Sequence, residues 1–179
     1  YLDTGRALSG LNSQLGATLS TANLNDLETA KTIGVLPGSM GEESLVLEYL
    51  IRRARKRGAR VVVLGETNER MAALADLWLT PRPGTASSLF YALVHQWIKA
   101  GKVDPGKAGI QVENAQELRS HAAGFSREKV MKETGIAAET LDKWLDTFAD
   151  PGSETIWVAP PLADGGHDSA LPAMVDTLL

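Results

Sequence analysis

The sequence predicts an α/β layered domain with a short, mostly parallel sheet and a helical insertion. Three features carry this expectation: the β-branched run Arg60-Val61-Val62-Val63-Leu64, the shorter apolar run Ile33-Gly34-Val35-Leu36, and a helical pattern between them. An uninterrupted β-branched run reads as a parallel strand buried on both faces. Strand, helix and strand in succession read as a βαβ unit.

Taken in order, residues 1–24 mix small, Leu and polar types around Gly5, Gly10 and Gly16, a weak helical pattern. Asn25-Asp26-Leu27-Glu28 carries a helix-start signature, and Pro37-Gly38 ends the first strand. Leu45, Leu47, Leu50, Ile51 and Ala54 then recur at helical spacing, with Arg52, Arg53, Arg55, Lys56 and Arg57 crowding the last turns and Gly58 as the cap. Cations are favoured at a helix C-terminus. A nucleic-acid or anionic-lipid patch is the competing reading of residues 52–60, but charge at a helix end is ordinarily a solvated feature. Glu69–Ala75 reads as a short helix, Leu77-Trp78-Leu79 as a third strand, and Pro81-Arg82-Pro83-Gly84 as a break.

From Thr85 a long amphipathic helix runs through Leu89, Phe90, Leu93, Val94, Trp97 and Ile98 and stops near Gly101. After a loop over Lys102–Glu113 come three short helices, Ala115–Ala123, Arg127–Thr134 and Ala137–Phe148, started at Ser126 and Ala138-Glu139 and stopped at Gly124 and Gly135. The turn Asp150-Pro151-Gly152 precedes a strand at Thr155–Ala159, a Pro/Gly-rich loop and a helix from near Asp168. The expected division is one domain over 1–150, with 151–179 supplying the final strand and helix of the same or the next subdomain. Both ends read as cuts in a longer chain.

With 179 residues, 44% apolar, 22% charged and a net charge of -4, the chain can bury a core and is poorly suited to general polyanion binding. Nucleic acid is therefore not an expected partner. The apolar runs fall short of the ~20 residues of a membrane span, so no direct membrane insertion is expected, and the expected location is cytoplasmic, at the membrane only through a complex. The absence of cysteine excludes disulfides, iron–sulfur ligation and a cysteine nucleophile within these residues.

In an open parallel sheet, ligands bind outside the carboxyl ends of the strands, where strand order reverses. Three loops belong to that edge, Pro37–Glu43, Gly65–Glu69 and Thr80–Ala86. Gly38, Gly41 and Glu66 suit a nucleotide's phosphate and ribose, although G-x-G-x-x-G and the phosphate-loop Lys-Ser/Thr are both missing. Glu42 and Glu43 would repel a phosphate and are read as complementing a helix dipole. His95, His121 and His167 lack the spacing of a metal site. Gly165-Gly166-His167-Asp168-Ser169 cannot aim as a Ser-His-Asp triad, and no catalytic residue is assigned. Trp78, Trp97, Trp144 and Trp157 are read as core or interface residues.

Leu74-Ala75-Asp76-Leu77-Trp78-Leu79-Thr80-Pro81-Arg82-Pro83-Gly84-Thr85 resembles the A-D-x-x-L-x-x-R-P-G-T-D passage of molybdopterin oxidoreductases, of the formate dehydrogenase and DMSO reductase type. The surroundings agree in order: Asp26-Leu27-Glu28 before a strand, Gly38-Ser39, a helix ending Arg53-x-x-x-Arg57-Gly58-Ala59-x-Val61, then His95 and Thr134-Gly135-Ile136, over residues 24–150. The resemblance implies a Rossmann-like three-layer domain that holds a guanine dinucleotide arm of the molybdenum cofactor. It points to Gly38, Ser39, Glu66, Arg82, Gly84 and Thr85 as cofactor-binding positions.

Three polar anchors of the family are changed: Met40 follows Gly38-Ser39, the second strand ends Leu64-Gly65 with Glu66 one place late, and Ala86 follows Thr85. Each unpaired group would cost roughly 1–3 kcal/mol. That pattern is similar to the large iron–sulfur subunit of bacterial NADH-quinone oxidoreductase (complex I, an NADH dehydrogenase), a respiratory-chain electron-transport protein in which the fold serves as scaffold. On that reading the segment is not catalytic alone and holds no cofactor. The full-length protein carries iron–sulfur clusters, and its partners are the rest of its own polypeptide and other subunits of an electron-transfer complex. The alternative is the cofactor-binding domain of an active molybdenum oxidoreductase such as a formate dehydrogenase, with molybdopterin guanine dinucleotide bound.

Overall fold

A computed structural model of the chain describes residues 24–36, 45–65, 69–102, 115–150 and 155–158. Four strands are present among them: β1 (Thr32–Val35), β2 (Arg60–Leu64), β3 (Leu77–Leu79) and β4 (Thr155–Val158). They form one sheet in the order β3-β2-β1-β4, and every pairing is parallel. The helices are α1 (Leu45–Lys56), α2 (Glu69–Ala72), α3 (Ala86–Lys99), α4 (Ala115–Ala123), α5 (Arg127–Thr134) and α6 (Ala138–Thr147).

The β-branched run of β2 explains the layering. Successive strand residues point to opposite faces, and both faces of β2 are covered. Val61 and Val63 join Ile33, Val35, Ile51, Ala54, Met71 and Leu74 in one core under α1 and α2. Val62 and Leu64 join Leu79, Leu89, Phe90, Leu93, Trp97, Leu141 and Trp144 in a second core under α3, α5 and α6. The arrangement is three layers, as the sequence predicts.

Several boundaries shift for local reasons. Asn25–Glu28 forms a 3-10 turn over Asp26–Glu28 and not an α-helix, because the strand begins four residues after it. The expected helix at Glu69–Ala75 closes after Ala72. Ser126 caps α5 by accepting from the Lys129 N–H, and Gly135 ends it at φ 75°. β4 pairs with β1, so residues 155–158 belong to the same sheet as the rest.

Glycine at 34 is required by packing. Gly34 lies opposite Trp157 on the neighbouring strand, and a Cβ there would overlap the Cε3–Cζ3 edge of the indole. Trp157 in turn meets Phe90, Trp144 and Phe148 at centroid separations of 5.1, 5.8 and 4.8 Å. That cluster fastens β4 to α3 and α6.

The basic end of α1 is tied down locally. Glu28 receives Arg53 and Arg57, Glu48 receives Arg52, and Asp76 receives Arg55. An open depression of about 600 Å³ lined by Arg52, Arg55, Lys56, Arg60 and Asp76 lies there, at the amino-terminal edge of the sheet and away from the ligand edge. Among the described residues no helix is long and apolar enough to cross a membrane.

Candidate functional site

The chain passes from β1 through β2 to β3 on one side and returns to place β4 on the other side of β1. Strand order therefore reverses between β1 and β4. The crevice expected of such a sheet opens at their carboxyl ends, where the Leu36 N–H donates to the Val158 carbonyl at 2.9 Å. Gly38 and Ser39 follow β1 at this point and Glu66 follows β2, and all three lie outside the described residues, as do Met40 and His167.

Two further loops leave the same edge. Gly65 closes β2 at φ 84°, with its N–H on the Leu79 carbonyl and its own carbonyl receiving the Trp78 indole N–H at 2.8 Å. This bond explains why Trp78, read as a core or interface residue, is 46% exposed: it braces the β2 exit from the edge strand. After β3, Arg82-Pro83-Gly84-Thr85 makes a tight turn. The Thr85 N–H donates to the Arg82 carbonyl at 3.1 Å and Gly84 sits at φ 78°. Proline at the first central position and a left-handed glycine at the second are what a type II turn needs. The Thr85 hydroxyl also donates to the Arg82 carbonyl, at 2.7 Å, and leaves the start of α3 without a side-chain cap.

Arg82 points elsewhere. Its N–H donates to the Thr134 carbonyl at 2.9 Å and its Nη1 to the carbonyls of Lys132 and Glu133 at 2.8 and 3.5 Å. The guanidinium is thereby committed to the C-terminus of α5. Of the six positions singled out in the sequence, the described structure thus brings Arg82, Gly84 and Thr85 together in one turn and gives Arg82 a helix end to hold.

Asp76, in the same sequence motif, is also structural. Its N–H donates to the Val61 carbonyl, its carboxylate accepts the Val61 N–H at 2.8 Å, and Arg55 donates to it at 3.0 Å. Burial pushes this carboxyl up, but the hydrogen bonds from Arg55 and Val61 and the charges of Arg55 and Arg60 outweigh it and hold the group below its ordinary range. His95 is half-buried, its Nδ1 lying 3.1 Å from the Ala122 carbonyl, while His121 packs its ring on Tyr91 and Phe125. Among the described residues no cluster of His, Asp and Glu could hold a metal ion.

The family model described as molybdopterin oxidoreductase matches residues 2–174. The chain belongs to the molybdopterin oxidoreductase family. Among curated members it is 25% identical over 132 residues to the F420-dependent formate dehydrogenase 1 subunit alpha of Methanococcus maripaludis, covering 74% of this chain and 20% of that protein. It is 33% identical over 121 residues to the menaquinone reductase, molybdopterin-binding-like subunit of Nitratidesulfovibrio vulgaris, covering 68% of this chain and 16% of that protein. The solved acetylene hydratase from Pelobacter acetylenicus shares its fold, with a TM-score of 0.71 at 21% identity over 97% of this chain and 23% of that one. The chain thus spans about a fifth of the length of these molybdopterin oxidoreductases.

The described residues fit a nucleotide arm in backbone more than in side chains. A turn with no side chain at Gly84 stands at the ligand edge, beside the start of a long helix with no acid in its first turn. Ala86, where the family motif carries a carboxylate, is a buried methyl at 6% exposure and offers nothing to a guanine edge. Sequence reasoning missed Ser88, whose hydroxyl donates to Glu133 at 2.8 Å, and the helix-capping use of Arg82. The signal for the second was the helix end marked by Gly135, since the last carbonyls of a helix have no intrahelical donors.

Proposed function

We propose that this chain forms part of the cofactor-holding α/β domain of a larger molybdenum oxidoreductase of the formate dehydrogenase type. The observation that carries the reading is the turn Arg82–Thr85 at the carboxyl end of β3, in a chain that belongs to the molybdopterin oxidoreductase family. Formate dehydrogenase relatives support the substrate class. Thr85 and the backbone of Gly84, with Gly38, Ser39 and Glu66, would hold one guanine nucleotide arm. When bound, the pterin-held molybdenum supplies two-electron redox chemistry. This chain's part is to bind and orient the dinucleotide. Iron–sulfur clusters and the electron partner belong to the remainder of the polypeptide and to neighbouring subunits.

A second reading, a scaffold that has given up the cofactor, is favoured by Met40 and Ala86 and by the relative named as a molybdopterin-binding-like subunit. Its narrower form, a place in NADH-quinone oxidoreductase, draws no support from relatives that are formate dehydrogenases, a menaquinone reductase subunit and an acetylene hydratase. The test is the full-length polypeptide produced in a host that makes the cofactor. Near-stoichiometric molybdenum, GMP released by acid hydrolysis and formate-dependent dye reduction are expected. Neither metal nor GMP in the purified protein would establish the scaffold.

A further inference from the structure

The turn Arg82–Thr85 is pinned on both flanks to a single helical turn that takes no part in the sheet. Upstream, Arg82 answers three consecutive terminal carbonyls of α5, those of Lys132, Glu133 and Thr134. The last carbonyls of a helix have no intrahelical donors, and the negative end of the dipole favours a guanidinium there. Downstream, the hydroxyl of Ser88, in the first turn of α3 and 6% exposed, donates to the Glu133 carboxylate at 2.8 Å. Gly135 makes the approach feasible. It takes the left-handed conformation at φ 75°, and a Cβ there would stand 3.2 Å from the Arg82 Nε.

We propose that the last turn of α5 is a remote cradle that sets the shape of the cofactor-side turn, with Arg82, Ser88 and Glu133 as positioning residues. The proposal rests on the reading that this turn faces the guanine nucleotide. Coupling between two sites is reciprocal, so a nucleotide at the turn and order at the end of α5 stabilise each other. Arg82 then governs affinity through shape and not through charge on a phosphate. The distinction is testable with lysine. A lysine remains a competent phosphate ligand as a point charge, but its flexible stem and tetrahedral ammonium cannot reproduce the rigid guanidinium plane that sets Nη1 on the Lys132 carbonyl while Nε lies over Gly135.

The experiment is hydrogen exchange on the chain and on Arg82→Ala, Arg82→Lys and Ser88→Ala, read at the amides of Gly135, Thr85 and Ser88. Arg82→Ala should speed exchange at all three by about tenfold or more, with Arg82→Lys close behind, while amides of β1 and β2 stay unchanged. Ser88→Ala should loosen Thr85 and Ser88 with Gly135 following. Faster exchange at Gly135 alone would reduce Arg82 to an isolated helix cap and overturn the proposal. Calorimetric titration with GDP supplies the second readout. A comparable loss of affinity in Arg82→Lys and Arg82→Ala supports positioning, and near-normal affinity in Arg82→Lys refutes it. Should the unsubstituted chain not bind GDP, the exchange pattern still decides the cradle, and the cofactor reading is decided by the molybdenum and GMP content of the full-length polypeptide.

Discussion

Gly34→Ala is the most demanding single test of the packing between β1 and β4. The added Cβ would lie 2.9 Å from Cδ2 of Trp157 and nearer still to Cε3 and Cζ3, so the indole or the strand must move. Overpacking of this kind costs about 1–3 kcal/mol. An indole displaced from Phe90, Trp144 and Phe148 also forfeits edge and stacking contacts worth about 0.5–1.5 kcal/mol each. The expected total is about 2–5 kcal/mol, since some contacts survive. For a domain of this size that lowers Tm by roughly 5–15 °C. Thermal unfolding followed by near-ultraviolet circular dichroism reads both the midpoint and the loss of aromatic order. The double variant Gly34→Ala/Trp157→Leu removes the clash, so it should be more stable than the sum of its parts by about 1 kcal/mol or more. A Tm for Gly34→Ala indistinguishable from that of the parent, or strict additivity in the double variant, would refute the reasoning.

Three further outcomes are expected. Asp76 has a depressed pKa in the folded chain, so it contributes stability that is complete above the ordinary carboxylate value and is lost as pH falls through the folded one. The window lies below about pH 4. Asp76→Asn should therefore lower stability at pH 7 and flatten the acid limb of a urea-midpoint profile, and a profile parallel to the parent would count against the role given to this carboxylate. Trp97→Phe removes the indole N–H that donates to the buried Phe148 carbonyl at 2.7 Å, and the stranded acceptor should cost about 1–3 kcal/mol in urea titration. A loss too small to measure would mean that the carbonyl has another donor. Gly135→Ala forces a side chain into a left-handed conformation against Arg82 and should cost about 1–3 kcal/mol, checked by the same titration, with unchanged stability as the contrary result.

The layering was legible because it depends on period and composition alone. The run at 60–64 could only be a strand covered on both faces, and the stripe Leu89, Phe90, Leu93, Val94 and Trp97 could only face a core. The stop at Gly135 and the start at Ser126 were legible for the same reason, since one backbone conformation or one hydroxyl decides each. What escaped was long-range. Ser88 and Glu133 are 45 residues apart, and Arg82 is 50 from Lys132, so no local pattern announces either bond. The exposure of Trp78 was hidden because burial of an edge-strand residue depends on what lies beside it, and here its indole reaches the Gly65 carbonyl. The motif around Arg82 carried the family correctly. Which side chains of that motif hold the fold and which face the crevice is a matter of direction, and direction is set by tertiary contacts.

Asp76 offers Val61 both a donor and an acceptor, one from its backbone and one from its side chain, at the point where β3 joins β2. Slipping β3 by one residue would forfeit both bonds at once and turn Leu77 and Leu79 away from the apolar layer they now meet. The aspartate thus works as a key for strand alignment. A three-residue strand, too short to fix its own registration by hydrophobic alternation, is indexed by one carboxylate at its threshold. The loop that follows inherits its starting position from that choice.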